Sequence, residues 1–467
     1  MKRGNFWFGL GLAVLCLCGA ILALSCGGGG GGGSSTGTVN TSISDPPTCK
    51  TTFPNIWVTI TRVRAHTSSS NAGENDSGWI DLLDLRDDPK QIDLMNLSQT
   101  DCLLTQLGSK SGIPAGQYQQ IRLYLLSNNP PESTAKPDPN NCGVVNGFNC
   151  VVTSDYATHI LELSSEAQTG IKIPSGQIAG GRFVVPAGEV VDLNIDFDAC
   201  SSIVQQGSGQ FRLKPVLHAA EISLTNPVKI SGTVVDNESG DPISGAILFL
   251  EKPDGDGIDR MIMQTLSKSD GTFVFCPVPS GYFDVVADAL VDDTAYNATI
   301  TFSVPSGTDM GNIPIIPETG ASTLPAEISG QITTTTGSAA TQADISLSAL
   351  QLADDTWVTI PPLGSSTPNV VTQAGFCPEN TDCTGYILYV PASNPSVGTF
   401  AVNQSTNYSV PAGPPINYRV NARAFTIATP ANPVSEPNCS SSSLEEPVQV
   451  EAGVRYNDVD FGFTDCR

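Results

Sequence analysis

Pro114-Ala115-Gly116-Gln117-Tyr118-Gln119-Gln120-Ile121-Arg122-Leu123-Tyr124-Leu125 joins a tight turn to a run rich in apolar and aromatic side chains. Pro at the second turn position and Gly at the fourth suit a type I turn. The same Pro-Ala-Gly or Pro-Ser-Gly signal recurs at Pro174, Pro186, Pro279, Pro305 and Pro411, and alternating or β-branched runs follow most copies. Strands entered through tight turns at short spacing describe β-sandwiches. Composition agrees. The 45 Gly and 34 Pro favour turns over long helices, and Thr, Ser, Val and Ile dominate what remains. The sequence predicts an all-β chain of tandem sandwich domains.

Working outward, Phe53 to Ile60 reads as an opening strand, and 49–226 as a first domain. Ile80 to Leu107 is richer in Leu and Asp and has room for a short helix. The stretch from Asn128 to Cys142 reads as an exposed excursion. A second domain, 227–317, begins at Ile230-Ser231-Gly232-Thr233-Val234 and turns at Gly240-Asp241-Pro242 into Ile243 to Leu250. A third, 326–467, restarts the pattern: Ile328-Ser329-Gly330-Gln331-Ile332 echoes the start of the second, and Asp344 to Leu350 stands where its next strand should.

Several blocks of the first domain resemble a bacterial family known only as domain of unknown function 4382. They are Trp57 to Val63, Trp79 to Leu82, Ile113 to Leu125, Ile171 to Gln177, Leu193 to Ala199 and Gly207 to Val216. The resemblance implies an exported lipoprotein and leaves the biochemical role open. The second domain resembles the carboxypeptidase regulatory-like, transthyretin-related fold. That resemblance implies a small sandwich, transthyretin (prealbumin)-like or Ig-like, of a kind grouped with carbohydrate-binding-like modules.

The amino terminus carries an export pattern. Lys2 and Arg3 precede an uncharged, largely apolar stretch from Phe6 to Leu24. Leu22-Ala23-Leu24-Ser25-Cys26 then resembles a lipobox, although Ala23 stands where Leu is usual and Leu24 where a small residue is usual. The expectation is a signal peptide over 1–25, lipidation of Cys26, and a Gly/Ser-rich flexible tether over 26–48. Several acyl chains together anchor stably where one does not. Gly27 lacks the charge that retains lipoproteins at an inner membrane, so the expected location is the outer membrane or cell surface.

Ten of the 13 cysteines lie beyond Cys16, Cys18 and Cys26. An even number in an exported chain suggests disulfides, and no CxxC motif points to metal or haem. Cys142–Cys150 and Cys377–Cys383 can close local loops, and Cys439–Cys466 can tie down the carboxyl terminus. Cys49, Cys102, Cys200 and Cys276 allow three connectivities.

With 46 Asp and Glu against 22 Lys and Arg, the chain has a formal net charge of −24. Such a surface repels phosphate backbones, which excludes nucleic acid as a partner class. The three histidines, His66, His159 and His218, fall in separate blocks, and neither an HExxH nor a Walker A loop occurs. Asp192, Asn194, Asp196 and Asp198 alternate with Val191, Leu193, Ile195 and Phe197. Period two places the four oxygen-bearing side chains on one face of a strand. They read as a solvated face or, alternatively, as ligands for Ca2+. Asp254-Gly255-Asp256-Gly257-Ile258-Asp259 resembles part of a calcium loop but lacks its bidentate Glu, and reads equally as a polar hairpin tip. Trp79, Tyr118, Tyr124 and Trp357 are aromatics that could stack on sugars, and core or rim packing explains each at least as well. No catalytic residue and no cofactor are expected. The expected role is a non-enzymatic adhesion, scaffolding or matrix-contact protein touching the membrane through lipid and other envelope proteins through its body. The alternatives are a carbohydrate-binding module for envelope glycans and, third, an enzyme with an unrecognised carboxylate site.

Overall fold

The computed structural model describes residues 35–466 apart from 46–51, 69–75, 98–101, 103, 165, 174, 179–180, 206–208, 223–227, 255–256, 375–376, 403–405, 412–416, 427–439 and 442–446. The regular secondary structure of the described residues is almost entirely strand, with one α-helical turn at Ala199–Ser202 and 3-10 turns at Leu94–Asn96 and Ser175–Gln177. The first of these 3-10 turns falls in the Leu/Asp-rich stretch where a short helix is expected.

The first domain opposes two sheets. One has the order Leu217–Ile222, Val190–Phe197, Thr36–Ser44, Leu104–Pro114. The other is built around Asn55–His66, a 12-residue strand that pairs with Gln120–Leu125, Cys150–Val152, Trp79–Asp84 and Lys90–Asp93. Val39, Ile43, Leu193, Ile195 and Phe197 from the first sheet pack with Ile56, Val58, Ile60, Ile121 and Leu123 from the second.

Thr36–Ser44 corrects the expected tether. Its Thr, Ser and Asn content reads as a flexible coil, but Val39, Thr41 and Ile43 alternate inward and are fully buried. Parallel pairing with Val190–Phe197 and antiparallel pairing with Leu104–Pro114 place the strand inside the sheet. Three buried β-branched residues at period two outweigh a polar composition. The domain therefore starts at Thr36. Cys26 and the glycine run lie outside the described residues, as do Cys49 and Cys439. Among the described residues no helix is long and apolar enough to cross a membrane.

The repeated Ile-Ser-Gly motif has a structural reason. Ile230–Asp236 in the second domain pairs antiparallel with Thr272–Phe275 and parallel with Asp309–Ile315. In the third, Ala326–Thr336 pairs antiparallel with Asp382–Val390 and parallel with Arg455–Tyr456 and Phe461–Thr464. Each motif glycine sits where another backbone comes close. A Cβ on Gly232 would lie 2.9 Å from the Gly311 carbonyl oxygen, and one on Gly330 only 2.1 Å from that of Val459. Glycine in a strand interior marks this kind of approach. Gly330→Ala is therefore expected to destabilise the third domain by on the order of 3 kcal/mol. Gly232→Ala should cost less. Urea unfolding of the two variants checks both the direction and the order.

The second and third domains are interlocked rather than strung in a row. Tyr282–Val291, Thr294–Pro305, Ile247–Pro253 and Ile258–Leu266 of the second belong to one ten-stranded sheet with strands of the third. Ile258 and Asp259 pair with Trp357 and Val358, and Thr299–Phe302 pairs with Ser396–Thr399. Alternation gives this sheet two buried faces. Leu248, Leu250, Val285 and Ala287 face the second domain's own core, whereas Phe249, Val286, Ala298 and Ile300 face the third domain's core.

Cys142–Cys150 closes the loop excursion of the first domain, and Cys377–Cys383 a loop of the third. Cys102–Cys276 ties the first domain to the second across 174 residues, which selects among the connectivities left open. Cys200 and Cys466 are disulfide-bonded as well.

Candidate functional site

The acidic strand Val190–Phe197 leads to the site. Leu193, Ile195 and Phe197 are buried in the first domain's core, as period two requires. The opposite face is not solvated. In-register parallel pairing sets Asn40, Ser42 and Ser44 beside Asp192, Asn194 and Asp196. Asn40 Nδ2 donates to Asp192 Oδ1 at 2.7 Å, Ser42 Oγ to Asn194 Oδ1 at 2.9 Å, and Ser44 Oγ to Asp196 Oδ1 at 2.6 Å. Asp198 accepts Gln264 Nε2 of the second domain at 2.7 Å. Asn194, Asp196 and Asp198 are all buried. The expectation of a solvated face missed that the supposed tether is the neighbouring strand, whose side chains pair along this face, and that Gln264 of the second domain reaches it. Among the described residues no group of three or more His, Cys, Asp or Glu is placed to hold a metal ion. Burial pushes the Asp196 carboxyl up to about 7, against the Ser44 hydrogen bond that lowers it.

Asn194 and Asp196 border a cavity of about 1140 Å³ lined by all three domains. The first domain contributes Arg212, Lys214 and His218 from the segment around Phe211–Leu213 and Leu217–Ile222. The second adds Lys252, Arg260 and Gln264 from the hairpin of Ile247–Pro253 and Ile258–Leu266. The third adds Asp344, Ser346 and Arg423 from Ala343–Ala353 and Asn417–Thr426.

Charged contacts cross the domain boundaries here. One terminal nitrogen of Arg212 reaches both Asp344 oxygens, at 2.6 and 2.7 Å, and its Nε meets Ser164 Oγ at 3.2 Å. Lys214 Nζ donates to the Ile345 carbonyl at 3.0 Å and to Asn369 Oδ1 at 3.4 Å. Asp254 accepts Arg260 Nε at 3.0 Å and an Arg423 terminal nitrogen at 2.9 Å. Asp254 thus serves as an anchor for two arginines, at the hairpin tip read as a partial calcium loop. Burial lowers Lys214 to about 8, opposed by Asp344, and lowers His218 to about 4. His218 is neutral at pH 7, and its enclosed Nδ1 has no hydrogen-bond partner among the described residues.

The other sequence candidates lie elsewhere. His66 Nδ1 accepts the Ser68 amide at 2.9 Å and its ring lies 5.1 Å from that of Trp79, while His159 lies 5.2 Å from the Phe211 ring. Three of the four aromatics proposed for sugar stacking are core residues: Trp79, Tyr118 and Tyr124 are 7%, 1% and 5% exposed. Trp79 packs under Arg64 and Arg122, and Tyr118 stacks on Phe183. Trp357 is half-buried beneath Arg419. Sequence reasoning missed Arg212, Lys214, Arg260, Asp344 and Arg423. The available signal was Arg212-Leu213-Lys214, two cations in three residues of a chain poor in them.

Residues 36–215 match the family model described as Domain of unknown function (DUF4382). That span begins at the strand the structure adds to the domain and contains Arg212 and Lys214. No curated protein matches the chain. Among solved structures, the Bacillus anthracis TIE protein is similar at 9% identity over 92% of this chain, with a TM-score of 0.16. This chain spans 51% of that protein's length. The shaft pilin SpaA from Lactobacillus rhamnosus GG is similar at 10% identity over 62% of this chain and 99% of its own, with a TM-score of 0.18. A streptococcal ancillary pilin is similar at 9% identity over 91% of this chain and 98% of its own, with a TM-score of 0.17. At TM-scores this low the likeness transfers nothing about function to this chain.

Proposed function

We propose that this chain is a lipid-anchored envelope protein with a non-enzymatic adhesion, scaffolding or matrix-contact role. The observation that carries the reading is the locking of the three domains. A continuous sheet joins the second to the third, and Cys102–Cys276 and the Arg212–Asp344 pair hold the first against them. Such a body presents a fixed surface and resists being pulled apart. Disulfides support folding in an oxidising compartment, as export requires. The scattered histidines and the engagement of Arg212, Arg260 and Arg423 in ion pairs support binding over catalysis. Within this reading the 227–317 unit is a carboxypeptidase regulatory-like sandwich and Cys26 is the lipidated residue.

The test uses cells carrying the wild-type chain, a Cys26→Ser variant or neither. Wild type is expected in the membrane fraction and in the detergent phase on phase separation. The serine variant should leave both, and attachment of the cells to matrix should fall with it. Membrane retention of the serine variant removes the anchor, and unchanged attachment in cells without the protein removes the adhesive role.

A further inference from the structure

The strand Thr36–Ser44 enters the first domain between two of the Pro-Ala-Gly turns. Thr36 pairs with Pro114, and the Ser35 carbonyl accepts the Ala115 amide at 2.9 Å. On the other side the Thr36 carbonyl accepts the Gly188 amide at 2.9 Å, and the Thr38 amide donates to the Glu189 carbonyl at 2.9 Å. Gly37 lies close against this second turn, where a Cβ would come within 2.7 Å of the Pro186 carbonyl oxygen. The point where the chain arrives is thus fixed at one end of the domain, with a turn on each side.

The outside of that end is apolar. Val190, opposite Thr38, is 62% exposed, and Val184, across the Pro186 turn from it, is 36% exposed. Ala115 and Ala187 on the two turns are exposed as well. Exposed valines scattered singly are ordinary, but these flank one point of the backbone. The charges there nearly cancel: exposed Arg182 stands against exposed Glu189 and Glu221, in a chain of net charge −24. This end therefore meets a phospholipid surface without the repulsion that so acidic a body feels as a whole.

Distance selects the occupant. Cys26 precedes Thr36 by ten residues, and ten residues span at most about 35 Å. An anchor on Cys26 holds the bilayer beside this end at high effective concentration, where a modest apolar contact is enough. The other end of the domain lies further off. Gln119, shortly after the first turn, donates to the His66 carbonyl at 2.9 Å, and Trp57, nine residues back along that strand, pairs with Cys150. Nine strand residues cover about 30 Å. The loop closed by Cys142–Cys150, with its fully exposed Val144, belongs to that far end.

We propose that the end of the first domain between the two Pro-Ala-Gly turns seats on the phospholipid bilayer that holds the anchor, with Val184 and Val190 in the headgroup layer. The proposal rests on the reading of Cys26 as the lipidated residue. It carries the Cys142–Cys150 loop away from the membrane.

The lipidated full chain on phosphatidylcholine vesicles, plain or brominated near the top of the acyl chains, tests it, and flotation on a density gradient reports attachment. Val190→Trp places a fluorophore at the seat and Val144→Trp one at the far loop, each in place of an exposed side chain. With wild-type emission subtracted, Val190→Trp should dim about twofold on the brominated vesicles, and Val144→Trp should not change. Equal dimming of the two variants would overturn the seat and leave the anchor standing. So would no dimming in a chain that floats, which would give the apolar end to a protein partner instead. A chain that does not float would overturn the anchor, and the seat with it.

Discussion

Acidification from about pH 8 to about pH 5 is expected to raise the melting temperature of this chain, by on the order of 5 °C or more. Relief of surface repulsion in a chain of net charge −24 acts in the same direction, so the site variants rather than the sign identify the cause. The rise follows from five buried carboxyls, Asp45, Asp196, Glu251, Asp259 and Asp288, none more than 6% exposed. Burial raises all five above the ordinary carboxylate range, and Asp196 reaches about 7. Neighbouring carboxyls add to the effect: Asp198 acts on Asp45, Asp259 on Glu251, and Asp284 on Asp259. Neither oxygen of Asp288 has a hydrogen-bond partner among the described residues, and Asp259 shares a carboxyl–carboxyl hydrogen bond with Asp284.

Between about pH 4 and pH 7 the folded chain keeps protons on these groups that the unfolded chain releases. Stability is therefore fully present below the ordinary carboxylate pKa and falls as pH rises through the folded values. For Asp196 alone, a rise of about three units corresponds to about 4 kcal/mol. His218 opposes the trend. Its lowered value makes the folded form the poorer proton acceptor between about pH 4 and pH 6.5, a contribution that rises with pH. One group does not offset five. Lys214 contributes only above about pH 8, where its lowered value makes stability rise with pH. Scanning calorimetry across the range measures the sum. Asp196→Asn and Asp288→Asn should each flatten the curve, which separates these sites from general relief of surface repulsion. A melting temperature that does not change with pH, or that climbs from pH 5 to pH 8, would mean that the buried carboxyls are not holding protons.

The fold class was legible because turn chemistry and period two are local. Pro-Ala-Gly before an alternating run reads as a strand without its neighbours, and the echo of Ile230-Ser231-Gly232 in Ile328-Ser329-Gly330 marks two strands in equivalent places. What the echo means becomes visible only when Val459 and Gly311 are seen against the two glycines. Thr36–Ser44 was misread because Ser and Thr are ambiguous: exposed they make a linker, and beside Asn194 and Asp196 they complete a buried ladder. The four-residue acidic pattern was found for the right geometric reason, and its surroundings were wrong because burial is a property of the partner strand. The cavity was not legible. Lys172, Arg212, Lys252, Asp344 and Arg423 are spread over about 250 positions, and they come together only where the first domain's larger sheet meets the sheet shared by the second and third.

That convergence gives the second large expectation. Arg212→Met should destabilise the chain by about 3–5 kcal/mol, because it leaves Asp344 charged and without its arginine in a buried interface. The two side chains are 7% and 9% exposed, so water screens little of the loss. Asp344→Leu should be at least as damaging, since it strands Arg212 and removes the carboxylate that holds up the Lys214 charge. Lys214 can relieve part of this by giving up its proton, being already lowered to about 8. The loss in Asp344→Leu should therefore shrink as pH rises towards about 8, where the variant's lysine has given up its proton and the wild-type lysine still holds it, whereas the loss in Arg212→Met should not. The double variant should recover most of the loss, because neither Arg212 nor Asp344 is then left without the other; what remains is the loss to Lys214 of the carboxylate that favours its charge. Urea unfolding of the four chains at about pH 7 closes the cycle, and a coupling of about 2 kcal/mol or more is the expected result. Additive losses would mean that the pair does not hold the first domain to the third, and the locked body would then rest on Cys102–Cys276 and packing alone.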